Sequence, residues 1–269
     1  MKVFVIDVAR CNGCHNCQIA CKDEHCGNDW PPYAAPQPDT GHFWMKVESI
    51  EHGQAPKVNM EYRPLMCNHC ADAPCIDAGR GCVYRREDGL VIIDPKKAVG
   101  RRDLLGSCPY GRIFWNDELS LPQKCTGCAH LVDEGGVPHC VDLCTTGALR
   151  FGEEEDFLEE IARADTVADG CGSRVYYLNL PKLFVAGEVW DPVDDEIVEN
   201  ATITLISAQG ESRVVQSDGF GDFWFKQLDA GDCELTIEAS GFEPVRKEIH
   251  LVESLNAGDF PLVRIGKGE

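Results

Sequence analysis

The chain has 269 residues, 43% of them hydrophobic, with 25 basic against 45 acidic side chains and a formal net charge of −20. That length admits one large domain or two ordinary ones, each with a real core. The negative charge repels phosphate backbones and anionic headgroups, which argues against nucleic-acid and membrane-surface binding, and no run of about 18 apolar residues is present to span a bilayer.

Taken from the N-terminus, KVFVIDV (2–8) reads as a first strand. Its apolar run is short, is broken by Asp7, and shows neither a secretory signal nor a twin-Arg motif. A cytoplasmic location is therefore expected, with export on a signal-bearing partner left open.

Next comes CNGCHNCQIAC, which places Cys11, Cys14, Cys17 and Cys21 within residues 11–21 of a chain holding 16 cysteines. Disulfide scaffolds suit small secreted chains that cannot build a core. Zinc sites use two C-x2-C pairs separated by a dozen or more residues. The run here is C-x2-C-x2-C-x3-C, the bacterial ferredoxin spacing: three thiolates hold three corners of a [4Fe–4S] cube, and the fourth ligates the other cluster. Glycines between ligands, as in Cys11-Asn-Gly-Cys14 and Cys125-Thr-Gly-Cys128, suit loops that turn tightly and aim N–H groups at sulfur.

Residues 27–63, with Trp30, Pro31, Pro32, Pro36 and Pro38, read as an insertion suited either to packing on a partner or to ordinary loop packing; HFWMKVESI (42–50) within it reads as a strand. CNHCADAPC then supplies Cys67, Cys70 and Cys75, GLVIIDP (89–95) a further strand, SCPYG an isolated Cys108, and KCTGCAHLVDEGGVPHCVDLC the set Cys125, Cys128, Cys140 and Cys144. Short helices are expected after Cys17, Cys75 and Cys140.

The crossover rule of two-cluster ferredoxins pairs the outer runs. One cluster then takes Cys11, Cys14, Cys17 and Cys144, and a second takes Cys21, Cys125, Cys128 and Cys140. Cys67, Cys70, Cys75 and Cys108 form a third, in a module (about 64–112) nested inside the outer one. A fourth cluster would need cysteines at positions held by Gly79, Ala98, Arg101 and Leu104. All four are absent together, which reads as a four-cluster plan with one cluster deleted.

Cys82 reads as a small buried apolar residue rather than a substitute ligand, Cys171 and Cys233 have no Cys or His neighbours at ligand spacing and read as core or surface thiols, and Cys26 is left over from the cluster plan. His15, His69, His130 and His139 read as companions of complete thiolate sites, because imidazole ligation belongs to two-iron centres. No G-x-S-x-G, P-loop or H-E-x-x-H is found. The chain is expected to carry electrons without a catalytic site of its own.

EEEDFLEEIARA (153–164) reads as an acidic amphipathic helix with Phe157, Leu158 and Ile161 on one side. Beyond NLPKLF, six alternating segments with turns at SDGFGD, DAGD and SGFEP predict a β-sandwich of roughly 85 residues that docks or stabilises. The expected fold is α+β: an iron–sulfur domain over 1–181, including the acidic helix and linker (151–181), followed by an all-β domain over 182–269.

IDVARC, CKDEH, GHFWMKVE, YRP, CNHCADAPC, REDGLVIIDP, CPYG and QKCTGCAHL, together with the cysteine plan, resemble the iron–sulfur subunits of molybdopterin oxidoreductases of the dimethyl sulfoxide reductase family over residues 1 to about 185. Thr145 departs from the Pro common after the last cysteine. Within that family, the deleted cluster and the appended sandwich look like the small subunits of enzymes acting on polyhydroxylated aromatics. The resemblance implies three [4Fe–4S] clusters here, and molybdenum on pterin guanine dinucleotides in a large catalytic partner, forming a heterodimer or a higher oligomer. It also implies a transthyretin-like or carboxypeptidase-regulatory-like sandwich. Two other readings stand beside it: the wire of a respiratory reductase fed by a membrane quinol subunit, and a non-redox zinc scaffold.

Overall fold

A computed structural model describes residues 1–165, 167 and 170–266. The chain forms two units, one of residues 1–49 and 62–180, the other of residues 50–61 and 181 onward. Residues 50–61, expected in the first domain, thus group with the second. Residues 166, 168 and 169 of the expected linker and 267–269 of the sandwich domain lie outside the described residues.

In the first unit, Lys2–Asp7 is the middle strand of three, antiparallel to Leu149–Glu153 and parallel to Val175–Leu178. Val3, Phe4, Val5 and Ile6 are all buried. A strand covered on both faces loses its polar alternation, so this one reads as a continuous apolar run. The outer two strands are short and were not expected. Two small hairpins pair Val83–Arg85 with Val91–Ile93 and Phe114–Asn116 with Leu121–Gln123.

The helices accompany the cysteine runs, at Asn16–His25, Pro74–Gly79, Ala129–Asp133 and His139–Asp142. The aromatic residues of the expected insertion pack largely within the unit: Trp30 stacks on His130 at 4.2 Å, and Trp44 lies 4.7 Å from the His25 ring. The strand begins at Lys46 and runs to Gln54, paired with an unexpected strand, Lys57–Leu65.

The acidic helix over 153–164 does not form. Glu153 is claimed by the strand pairing with Lys2, Glu154–Phe157 is a 3-10 turn, and Leu158–Ala162 is a single helical turn whose Leu158 is exposed. Crowded carboxylates and prior claims from the sheet outweigh a short amphipathic pattern.

His42 illustrates how burial acts in this unit. It stacks on Phe114 with centroids 5.1 Å apart, its carbonyl accepts from Lys22 Nζ, and burial, with the Lys22 charge behind it, pushes its pKa down to about 4. An unfolded His protonates near pH 6.5. Between those values the unfolded state binds more protons, so this contribution to stability is whole above pH ~6.5 and is lost as pH falls toward 4. His42→Phe, which keeps the stack, is expected to lose less Tm between pH 7 and pH 5 than the parent. Equal losses would show that His42 does not carry the effect.

The second unit holds a sandwich of two four-stranded sheets. In one, Leu183–Asp191 is flanked by Asp222–Leu228 (antiparallel) and Leu255–Pro261 (parallel), with the short Glu196–Ile197 at its end. In the other, Ser212–Gln216, Thr202–Ser207, Gly231–Glu238 and Val245–Leu251 pair antiparallel in that spatial order. Val185, Ile203, Phe223, Phe225, Leu235, Ile237 and Phe260 fill the space between them. The six expected segments all fall in strands. Glu196–Ile197 and Leu255–Pro261 are additional.

Candidate metal centre

All 16 cysteines are free, and twelve of them gather in three groups of four. The local cause is a repeated backbone device. The residue before the second cysteine of each run's first C-x2-C is left-handed: Gly13 at φ 71°, His69 at 44° and Gly127 at 65°. That turn points backbone N–H groups back at the first sulfur, His69 N–H to Cys67 Sγ at 3.5 Å and Gly127 N–H to Cys125 Sγ at 3.3 Å. Glycine meets the requirement without strain. His69 is anchored instead by its Nδ1, which accepts the Val91 N–H at 3.0 Å.

In the first group, Cys11, Cys14 and Cys144 surround Cys17, and burial followed by those three neighbours pushes the Cys17 thiol up to about 12. Cys14 is exposed. At Cys144 burial also pushes upward, but hydrogen bonds from the Leu149 N–H (3.4 Å) and the Thr146 hydroxyl outweigh it, and the net direction is down.

The second group, Cys21, Cys125, Cys128 and Cys140, is wholly buried. Burial first, then the neighbouring thiols of the group, raises Cys128 to about 12 and drives Cys21 and Cys140 well up; burial, then Cys67 of the third group, raises Cys125 to about 11. The Gln37 amide lies 4.0 Å from Cys21 Sγ, and His25 Nε2 lies 3.6 Å from Cys128 Sγ. Burial, with His130 and His139 behind it, lowers His25 to about 3, so its ring is neutral at physiological pH.

The third group, Cys67, Cys70, Cys75 and Cys108, lines one cavity. Arg112 N–H donates to Cys108 Sγ at 3.4 Å. Burial raises Cys70 to about 12. The second group lies between the other two, since Cys140 feels the charge of Cys17, and Cys125 that of Cys67.

These donors suit iron–sulfur cubes. Buried thiols pushed this far up ionise only against a strong local positive charge, which a cluster core supplies. Among the described residues, no three His, Cys, Asp or Glu side chains converge on a single-ion position. A cube spreads its four thiolates over four irons, so its ligands stand wider apart than those around one zinc ion.

The four positions at which spacing would put the cysteines of a fourth group are packed by protein. Arg101 donates to Gly79 O (3.0 Å), Ala78 O (2.7 Å) and Cys82 Sγ (3.5 Å), while Cys82 donates to Gly79 O at 2.9 Å. Ala98 and Leu104 are fully buried beside Cys82 and Val83. A Cβ on Gly79 would stand 2.6 Å from a Val83 methyl. Cys82 is therefore a buried thiol in an apolar cluster.

The four histidines near the cysteine runs are engaged elsewhere or stand at turns: His130 and His139 each meet Glu24 at 2.8 Å, His69 is tied to Val91, and His15 opens a helix at φ 61°. Sequence spacing missed Cys171, which hydrogen-bonds Tyr110 beside Cys70. It also missed the buried Lys124, although QKC stands in plain view. Among the described residues, no helix is long and apolar enough to cross a membrane.

The comparisons agree with this chemistry. A 4Fe-4S dicluster domain matches residues 58–154, and a carboxypeptidase regulatory-like domain matches residues 185–260. The pyrogallol hydroxytransferase small subunit of Pelobacter acidigallici is 41% identical over 88% of this chain and 90% of its own length. A subunit of the tetrathionate reductase of Salmonella typhimurium is 31% identical over 68% of this chain and 74% of its own. A polypeptide of the anaerobic dimethyl sulfoxide reductase of Escherichia coli is 34% identical over 55% and 72%. The chain thus belongs to the iron–sulfur subunits of the dimethyl sulfoxide reductase family of molybdopterin oxidoreductases, with the small subunit of pyrogallol hydroxytransferase among its relatives.

Proposed function

We propose that this electron-transfer subunit carries three [4Fe–4S] clusters on the twelve grouped cysteines, and that its large partner binds molybdenum on pterin guanine dinucleotide and acts on polyhydroxylated aromatic rings. The observation that carries the count is the gathering of twelve thiols in three groups of four, with the fourth place packed by Arg101, Cys82 and Leu104. Clusters held in this way pass one electron at a time. The chain's residues keep the middle group dry, aim N–H groups at sulfur and leave Cys14 at the surface.

In this reading the module of about 64–112 is nested between the outer runs. A sandwich beginning near residue 182 is a docking or stabilising element. The aromatic substrate rests on the relative named for pyrogallol and on the shared two-domain plan. A wire that continues past the third group into a further subunit is disfavoured, because a guanidinium and apolar side chains occupy the next position.

Anaerobically prepared protein is expected to hold about twelve iron and about twelve sulfide per chain, with overlapping S = 1/2 signals on reduction. About sixteen irons would restore the fourth site, and zinc without sulfide would replace the electron-transfer reading with a scaffold. Turnover of a trihydroxybenzene by the purified complex tests the substrate. Activity confined to sulfoxide or an inorganic oxyanion would overturn the aromatic assignment.

A further inference from the structure

Among the described residues two lysines are buried: Lys57 at 6% exposure and Lys124 at 3%. Lys57 pairs with the Asp222 carboxylate. Lys124 has no carboxylate at ion-pair distance among the described residues; the lysines that pair are Lys2, Lys57, Lys97 and Lys182. Its ammonium donates only to the carbonyl oxygens of Val91 and of Cys125, the latter at 3.0 Å. A buried cation without a counter-charge costs several kcal/mol, and two carbonyl dipoles offset only part of that.

The location of Lys124 identifies the missing counter-charge. It lines the cavity formed by Cys67, Cys70, Cys75 and Cys108, and it is the chain neighbour of Cys125 in the second group. Its charge favours the thiolate at both Cys75 and Cys125, against the burial that pushes each thiol up. The adjacent His69 is fully buried and held neutral, chiefly by burial and then by Lys124, so it supplies no competing charge. A cube ligated by four thiolates is a net anion, and reduction by one electron makes it more so.

We propose that Lys124 is the shared counter-ion of the second and third clusters: it sits between them, raises the reduction potential of both relative to the first, and stabilises whichever of the two holds the electron. Reduction of either centre adds one electron from an external donor, dithionite in the test below, with no bond made or broken and no proton taken up by Lys124. The proposal rests on the three-cluster reading above.

The test uses the full chain, purified anaerobically with its co-purifying large subunit, as parent, Lys124→Met and Lys124→Arg. Iron and sulfide are counted, and each centre is titrated by EPR against solution potential. Lys124→Met is expected to lower two of the three centres, each by about tenfold in its reduced-to-oxidised ratio at fixed potential (about 59 mV for a one-electron couple), with the third unmoved. Lys124→Arg is expected to stay near the parent.

If the Met variant assembles poorly, the ranking still decides. A counter-charge predicts that Arg retains more iron than Met, whereas a packing role predicts that the near-isosteric Met does as well or better. The proposal is overturned if Met matches or exceeds Arg, if no centre or only one moves, or if all three move equally. A parent without iron and sulfide overturns the three-cluster reading itself, a result distinct from any difference among the variants.

Discussion

Cys108→Ser is expected to remove one cluster and leave two, so that iron and sulfide fall from about twelve to about eight per chain. Cys108 is isolated in sequence, yet it shares a cavity with Cys67, Cys70 and Cys75, and its sulfur accepts the Arg112 N–H at 3.4 Å. Serine keeps the volume but offers a hydroxyl where the site needs a thiolate. The first and second groups draw on none of these residues, so their signals should persist. Cys82→Ser is the matched control, since that thiol is hydrogen-bonded to Gly79 O in an apolar cluster and should change no iron count. Unchanged iron in Cys108→Ser, or loss of all three centres, would break the grouping.

The second large effect is expected in the sandwich. Phe223 is 1% exposed, packs its ring 6.2 Å from Phe225 and 5.9 Å from Phe260, and presses on Gly187 so closely that a Cβ there would stand 2.6 Å away. Truncating such a ring removes its burial and leaves a cavity, a loss of about 3–5 kcal/mol. Set against a domain stability of about 5–15 kcal/mol, Phe223→Ala should bring the sandwich near unfolding. Denaturation followed through Trp190 and Trp224 fluorescence measures the effect. Iron content should hold, because the apolar cluster around Phe223 contains no residue of the three thiol groups. Iron that falls in step with the sandwich transition would contradict that separation.

Both predictions bear on what is legible in the sequence. Spacing proposes three thiol groups, and the structure places the proposed members of each near one another: Cys11, Cys14 and Cys144 act on Cys17, Cys21, Cys125 and Cys128 act on Cys140, and Cys67, Cys70, Cys75 and Cys108 line one cavity. Spacing works here because a cube imposes its geometry on the short loops that hold it. The central strand Lys2–Asp7 and the sandwich segments were equally readable, since burial on one or both faces writes itself into the residue pattern. The acidic stretch over 153–164 misled: its apolar spacing suggested a helix, but pairing of Leu149–Glu153 with the central strand took its first residue, and only one helical turn remains.

By itself the sequence determined that this is a cysteine-rich iron–sulfur electron carrier with a β-domain appended, because ligand spacing and strand alternation are local properties of the chain. Only the tertiary structure decided that the second group lies between the other two, that Arg101 packs onto Ala78, Gly79 and Cys82, that residues 50–61 join the sandwich unit, and that Lys124 and Cys171 stand beside thiols distant in sequence. Those facts depend on contacts between residues tens of positions apart, and long-range burial and charge leave no spacing for a sequence to display.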